Sequence, residues 1–164
     1  MARQATAAYY RFKTSHNALV EAQRESRKRL QTALAAEEQR IVEEISSQLG
    51  HADTPASDRS CPACGKQFVL VRVQTVDLDA CRECGSLWFD AGEFKTLTRA
   101  LRDLADEAAC PAPSQYKCPV CLIPMVQRPL LPGKDLIVDQ CPAGHGFFLE
   151  HNELRRALDL TFRT

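Results

Sequence analysis

Apolar positions along the chain change their spacing part-way. Residues 15–49 contain neither Gly nor Pro, are rich in Ala, Glu, Gln, Arg and Leu, and place large apolar residues at Leu19, Leu30, Leu34, Ile41, Ile45 and Leu49. Steps of four, seven and eleven predict one long helix, with Gly50 as a left-handed residue beyond its C-terminus. At about 1.5 Å per residue the helix would span roughly 50 Å, more than a small domain covers. Its narrow stripe therefore needs a partner surface. The eleven-residue steps from Leu19 to Leu30 to Ile41 suit a nearly straight coiled coil, which makes residues 15–49 a candidate for homo-oligomerisation. Docking on the protein's own downstream segments is the alternative. Residues 1–14 extend this helix or fray, so 1–51 is read as one helical segment.

Past Gly50 the period shortens. Residues 52–60 and 110–115 are polar and Pro-containing and read as linkers, delimiting segments 61–109 and 116–164. Residues 68–73 and 75–79 are rich in β-formers and predict two short strands. Residues 125–131 and 135–139, around Pro132-Gly133, predict two more. Each segment then turns helical. Phe94, Leu97, Leu101, Leu104 and Ala108 share a face behind Asp90 and Glu93, an expected N-cap and its reciprocal partner. Leu154, Leu158 and Phe162 recur at four-residue steps. Trp88, Phe89, Phe147 and Phe148 read as the lid of a small core.

The two segments are copies of one another. Trp88-Phe-Asp-Ala-Gly-Glu-Phe94 aligns with Phe148-Leu-Glu-His-Asn-Glu-Leu154 at an offset of 60, which also sets Cys81 over Cys141. Cys-Pro-x-Cys opens both, at 61–64 and 118–121, so the segments form a tandem internal repeat.

That repeat puts seven of the eight cysteines into ligand spacing. The first segment carries Cys61 and Cys64, sixteen residues, then Cys81 and Cys84. Two tight turns can each aim a pair of thiolates at one ion while the intervening hairpin brings the pairs together. Gly65 and Gly85 suit those turns. The second segment offers Cys118, Cys121, Cys141 and His145, with Gly144 in the place of Cys84 and the imidazole's reach covering the shift. His151 competes with His145 for the fourth place, and Cys110, beside two prolines, reads as a free thiol. Each repeat is about 45 residues, too short for burial alone to hold it, so two zinc ions per chain are expected to supply the deficit. Without metal, residues 58–164 should be largely disordered. Paired cysteines of this spacing could also hold a rubredoxin-like iron.

The residues resemble the transcription-factor-IIB-type zinc-ribbon family. Cys61-Pro-Ala-Cys64 and Cys81-Arg-Glu-Cys84-Gly-Ser-Leu-Trp88-Phe89-Asp90-Ala-Gly-Glu93-Phe94 are similar to its cysteine pairs and its Trp-hydrophobic-Asp-x-x-Glu tail. The second copy departs at the fourth ligand and replaces the Trp with Phe148. The resemblance implies zinc binding, and the family's name implies transcription, over both repeats but not the N-terminal helix. The expected architecture is a small α+β, metal-stabilised protein: a long helix, then two tandem zinc ribbons, each a β-hairpin with a C-terminal helix.

Composition narrows the function. Lys plus Arg and Asp plus Glu number 21 each, and seven ligand thiolates outweigh two divalent ions by three charges, which argues against an indiscriminate nucleic-acid binder. No apolar run is long enough for a membrane span, and the start lacks a signal-peptide core, so a soluble, cytoplasmic protein is expected. Sites closed by four protein ligands leave no open position for water, so no catalytic residues are expected and the protein is not read as an enzyme. The leading expectation is an adaptor with a protein partner, associated with transcription. The alternative is nucleic-acid binding through Arg24, Arg27, Lys28 and Arg29, helped by Arg72, Lys95, Arg99 and Arg102.

Overall fold

A computed structural model describes residues 2–99, 111–131, 133 and 135–162, with side chains in the first helix described from His16 onward. Helix α1 is Ala2–Leu49. With no Gly or Pro inside it, nothing in the sequence interrupts its hydrogen-bond ladder. Gly50 does not take the expected left-handed turn; its N–H bonds to the carbonyls of Ser47 (3.1 Å) and Ser46 (3.3 Å), and His51 N–H bonds to Gln48 O (3.1 Å). Tightened bonds of this kind satisfy the last carbonyls without positive φ.

The chain divides into two units, residues 1–37 and 38–164. In the first, the described side chains are exposed or half-buried, Leu19 and Leu30 being 58 % and 60 % exposed. In the second, the end of α1 docks on the protein's own sheet. Ile41 and Ile45 are buried in the core, with Val42 and Leu49 packed against it. Gln48 ties this end to the backbone of Arg72, accepting from its N–H at 2.8 Å and donating to its carbonyl.

The rest of the second unit is built on β1 (Ala56–Ser60), β2 (Gln67–Val73), β3 (Val76–Ala80), β4 (Leu87–Asp90), α2 (Glu93–Thr98), β5 (Ala112–Lys117), β6 (Pro124–Pro129), β7 (Ile137–Gln140), β8 (Gly146–Leu149) and α3 (Glu153–Phe162). Neighbouring strands are antiparallel and form one eight-stranded sheet in the order β1-β2-β3-β4-β8-β7-β6-β5. Both linker readings are therefore corrected in part, since β1 lies within 52–60 and β5 overlaps 110–115. Their inward positions are polar (Ser57 and Arg59; Ser114 and Tyr116), so no apolar alternation announces them.

The repeats are not separate bodies. Strand β4 pairs with β8, with Leu87 opposite Leu149, Trp88 opposite Phe148, Phe89 opposite Phe147 and Asp90 opposite Gly146. Alternate residues then point to opposite faces. Leu87, Phe89, Phe147 and Leu149 join the core shared with α2, α3 and the end of α1. There the Phe89 and Phe147 rings stack at 5.2 Å, and Phe94 meets both edge-on at 5.3 and 5.5 Å. Trp88 and Phe148 face the other way, into a second cluster with Phe68, Met125 and the cysteines. Helix α3 buries Ala157 and Leu158, with Leu154 and Phe162 partly buried beside them. Helix α2 buries Phe94 and Leu97, whereas the expected continuation through Leu101, Leu104 and Ala108 lies outside the described residues.

Candidate metal centres

Each ligand pair sits on a backbone turn of one design. Cys61 N–H bonds to Lys66 O at 2.8 Å, Cys81 N–H to Ser86 O at 2.9 Å, Cys118 N–H to Ile123 O at 2.9 Å and Cys141 N–H to Gly146 O at 2.9 Å. In the first two turns the residue after the second cysteine is glycine at positive φ, Gly65 at 73° and Gly85 at 71°. In the third, Leu122 takes the same conformation at φ 62°, a strained choice for a residue with a Cβ. The fourth turn is equally long but carries its ligand one position later, at His145.

These turns converge on two points. Cys61 Sγ lies 3.6 Å from Cys84 Sγ, and Cys64 Sγ lies 3.4 Å from Cys81 Sγ. In the second repeat Cys121 Sγ is 3.6 Å from Cys141 Sγ, while His145 Nδ1 is 3.4 Å from Cys141 Sγ and 3.9 Å from Cys118 Sγ. All four donor atoms of each group lie within 4.8 Å of one another. A tetrahedral ion with Zn–S bonds near 2.3 Å needs sulfurs about 3.8 Å apart, so both donor sets are of the right size as well as the right chemistry. The imidazole's Nδ1, not its Nε2, faces the sulfurs.

The electrostatics also call for a cation. Burial pushes the Cys61 thiol well up, Cys81 up to about 11 and Cys118 up to about 12. At Cys84 burial acts in the same sense, but hydrogen bonds from the Ser86 hydroxyl and N–H outweigh it and bring the thiol down to about 7. At Cys141 burial is likewise outweighed, by the N–H groups of His145 and Ala143, and the thiol is lowered. Thiols gathered this closely, with Cys61, Cys81, Cys118 and Cys141 buried, become stable thiolates once a divalent ion sits between them.

His151 is not part of the second cluster. Its ring lies against the first repeat, where a Cβ on Gly85 would fall 2.2 Å from His151 Nδ1. Cys110 lies outside the described residues.

Sequence reasoning missed a polar network behind each cluster. Arg59 Nη1 on β1 donates to Asp79 Oδ2 and Asp90 Oδ1, both at 2.8 Å, and Trp88 Nε1 donates to Asp90 Oδ1 at 2.8 Å. Asp90 is thus committed to Arg59 and Trp88, and the expected N-cap falls instead to Gly92, with φ 90° and no side-chain cap. The reciprocal half survives, since Asp90 N–H donates to Glu93 Oε2 at 2.8 Å. In the second repeat Tyr116 stands where Arg59 stands in the first. Its hydroxyl donates to Glu150 Oε1 at 2.7 Å, and Glu150 N–H donates to Glu153 Oε2 at 2.9 Å. The Cys-Pro-x-Cys alignment, extended two residues upstream, was the available signal.

The transcription factor zinc-finger model, a TFIIB-type zinc ribbon, matches residues 60–100 and 117–160, two separate copies. The chain belongs to this family. No curated protein and no solved structure matches the chain. Membership and the two donor sets together assign two zinc ions to this zinc-ribbon protein, one to Cys61, Cys64, Cys81 and Cys84 and one to Cys118, Cys121, Cys141 and His145. In the second ribbon an imidazole nitrogen replaces the fourth thiolate, which leaves that site one negative charge less than the first.

Proposed function

We propose that this zinc-ribbon protein is a non-catalytic adaptor that binds a protein partner, with the transcription machinery the first place to look. The observation that carries this reading is that each cluster supplies four protein donors to one ion. A closed tetrahedron has no position for water or substrate, and zinc held so cross-links two turns instead of performing chemistry. The family description, transcription factor zinc-finger, supports the choice of partner. In the ribbons the cations that nucleic acid would need are partly spent: Arg59 is held by Asp79 and Asp90, and Arg72 Nη2 meets Asp77 Oδ2 at 2.6 Å. Protein therefore ranks ahead of nucleic acid as the partner. Cysteines spaced as metal ligands and not as disulfides also fit a reducing compartment such as the cytoplasm. No helix among the described residues is long and apolar enough to cross a membrane.

The test is cross-linking of the zinc-loaded chain in lysate, with capture compared against a Cys61→Ser/Cys118→Ser variant, together with cobalt substitution. Polypeptide captured only by the metal-loaded form, and a tetrahedral cobalt spectrum insensitive to added anions, would support the adaptor. A spectrum showing an exchangeable water would return the protein to the enzymes.

A further inference from the structure

A cavity of about 370 Å³ lies outside the metal centres, walled by β1, β2, β3, the end of β4 and the start of α2. It is lined by five carboxyl groups, those of Asp58, Asp77, Asp79, Asp90 and Glu93, and by one guanidinium, that of Arg59. Arg72, which does not line the cavity, answers Asp77 at 2.6 Å. Arg59 is left to serve Asp58 at 3.9 Å and both Asp79 and Asp90 at 2.8 Å. The Asp79 side chain is only 5 % exposed. Arg59 takes its Oδ2, while Oδ1, in a wall shared with Ser57, is buried without a hydrogen-bond partner. Withdrawing a carboxylate oxygen from water without supplying a donor is costly, so the cavity is short of positive charge. Glu93 registers the same shortage: burial, with the charges of Asp90 and Asp79, raises it to about 7 against the pull of the Asp90 N–H and Arg59.

Three kinds of cation can be told apart by the geometry they need. A bare metal ion needs its donors gathered, and among the described residues the two cysteine clusters are the groups that bring three or more donors within 4.8 Å. The carboxyl groups here stand too far apart for that. A guanidinium prefers both oxygens of one carboxylate, and Arg59 already has that place, its Nη1 meeting Asp90 Oδ1 at 2.8 Å and Oδ2 at 2.9 Å. What remains is divided among Asp58 on β1, Asp79 on β3 and Glu93 on α2. Separate acceptors suit an ammonium, whose three donors diverge. Leu70, 39 % exposed and part of the same wall, offers the apolar contact that a lysine stem takes. Strand β1 is the outermost strand of the sheet, which leaves the cavity open to a chain approaching from that side.

We propose that this cavity receives a lysine side chain of the protein partner, its ammonium among Asp58, Asp79 and Glu93 and its stem on Leu70. This rests on the adaptor reading and supplies the chemistry by which the partner is recognised.

The experiment titrates the zinc-loaded full chain, carrying carbon-13 in its leucine methyls, with a capped peptide of one lysine between glycines. The same peptide with acetyl-lysine, norleucine or arginine in place of lysine, and calcium chloride alone, are the other probes. The Leu70 methyl signals should shift saturably with the lysine peptide, and acetyl-lysine and norleucine should bind at least about tenfold more weakly. Asp58→Asn/Glu93→Gln keeps the shape of both side chains and should weaken the lysine peptide at least about tenfold. Unchanged Trp88 fluorescence would show the ribbons intact. Should that signal change, Asp58→Asn alone, at a side chain 96 % exposed, should still weaken binding by about threefold. Absence of a saturable shift, equal affinity for the acetyl-lysine peptide, tighter binding of the arginine peptide, calcium producing the same shifts, or full affinity in the variants would each overturn the proposal. If the lysine peptide fails while the chain still captures protein in lysate, the adaptor reading stands and this site falls.

Discussion

Trp88 lies directly opposite Phe148 where β4 meets β8, and the two are the same position of the two repeats. Their side chains fall in one buried cluster that also holds Cys61 and Cys81 from the first site and Cys118 and Cys141 from the second. The metal centres are therefore not isolated staples. Each orders one side of a shared apolar layer, and each strand of the junction begins just after a ligand turn.

Zinc loading should accordingly be cooperative. Filling one site fixes its half of the β4–β8 junction and lowers the ordering cost at the other. With Trp88 the sole tryptophan, its fluorescence reports the junction directly. Disabling the second site with Cys118→Ser/Cys121→Ser should weaken zinc binding at the first by about tenfold, a coupling of about 1.4 kcal/mol. Unchanged affinity would show the sites to be independent. Exhaustive chelation should abolish the strand signal in circular dichroism and the Trp88 blue shift together.

Two glycines separate a required close approach from a mere turn preference. A Cβ on Gly146 would stand 2.0 Å from Phe89 O, against the backbone of the opposing strand. Gly146→Ala should force the junction apart and cost about 3 kcal/mol in denaturant unfolding of the zinc-loaded protein. A Cβ on Gly65 meets nothing within 4 Å, so Gly65→Ala should cost only the roughly 1–2 kcal/mol of a left-handed alanine. Equal costs would remove the junction's special standing.

Arg59 and Tyr116 occupy matching positions with unequal duties. Arg59→Met leaves the buried Asp79 carboxylate without its cation and should cost about 2–4 kcal/mol. Tyr116→Phe removes one hydrogen bond to an exposed carboxylate and should cost about 1 kcal/mol. Urea midpoints of the two variants at saturating zinc give the comparison.

Glu93 makes stability depend on pH in a direction opposite to most carboxylates. Burial, with the charges of Asp90 and Asp79, raises it to about 7, against the Asp90 N–H and Arg59, which pull it down. The folded state therefore holds this proton more tightly than the unfolded state, and between the ordinary carboxyl range and about pH 7 the group's contribution to stability falls as pH rises. Glu93→Gln keeps an acceptor for Asp90 N–H and carries no charge. Its stability relative to the parent should rise from pH 5.5 to pH 8, both zinc-saturated; a difference constant over that window would refute the assignment.

The ligand set could be read from sequence because a zinc turn is local: two residues between cysteines fix the geometry whatever surrounds it. The tail alignment at Trp88 and Phe148 was equally plain, yet the pairing of those positions with each other was not, since three large apolar residues in a row, Leu87 to Phe89 and Phe147 to Leu149, look the same as a lid or as a junction strand. Strands β1 and β5 were hidden because Ser57, Arg59, Ser114 and Tyr116 face inward and are polar, their burial balanced by carboxylates far away in sequence. In α1 a single stripe met two fates. Ile41 and Ile45 reach the core while Leu19 and Leu30 remain exposed, a difference that periodicity cannot express because the same spacing serves a packed and a solvated stretch.

Opposition of equivalent positions across β4 and β8 is the arrangement that two identical single ribbons would adopt as a symmetric homodimer. Here the halves are covalently joined, which releases each from having to match the other. The first holds an all-sulfur site and an arginine clasp; the second holds an imidazole, a tyrosine and a leucine in a glycine's conformation. The seam is thereby internal to one chain, and the two halves it joins differ where those of a homodimer would be identical.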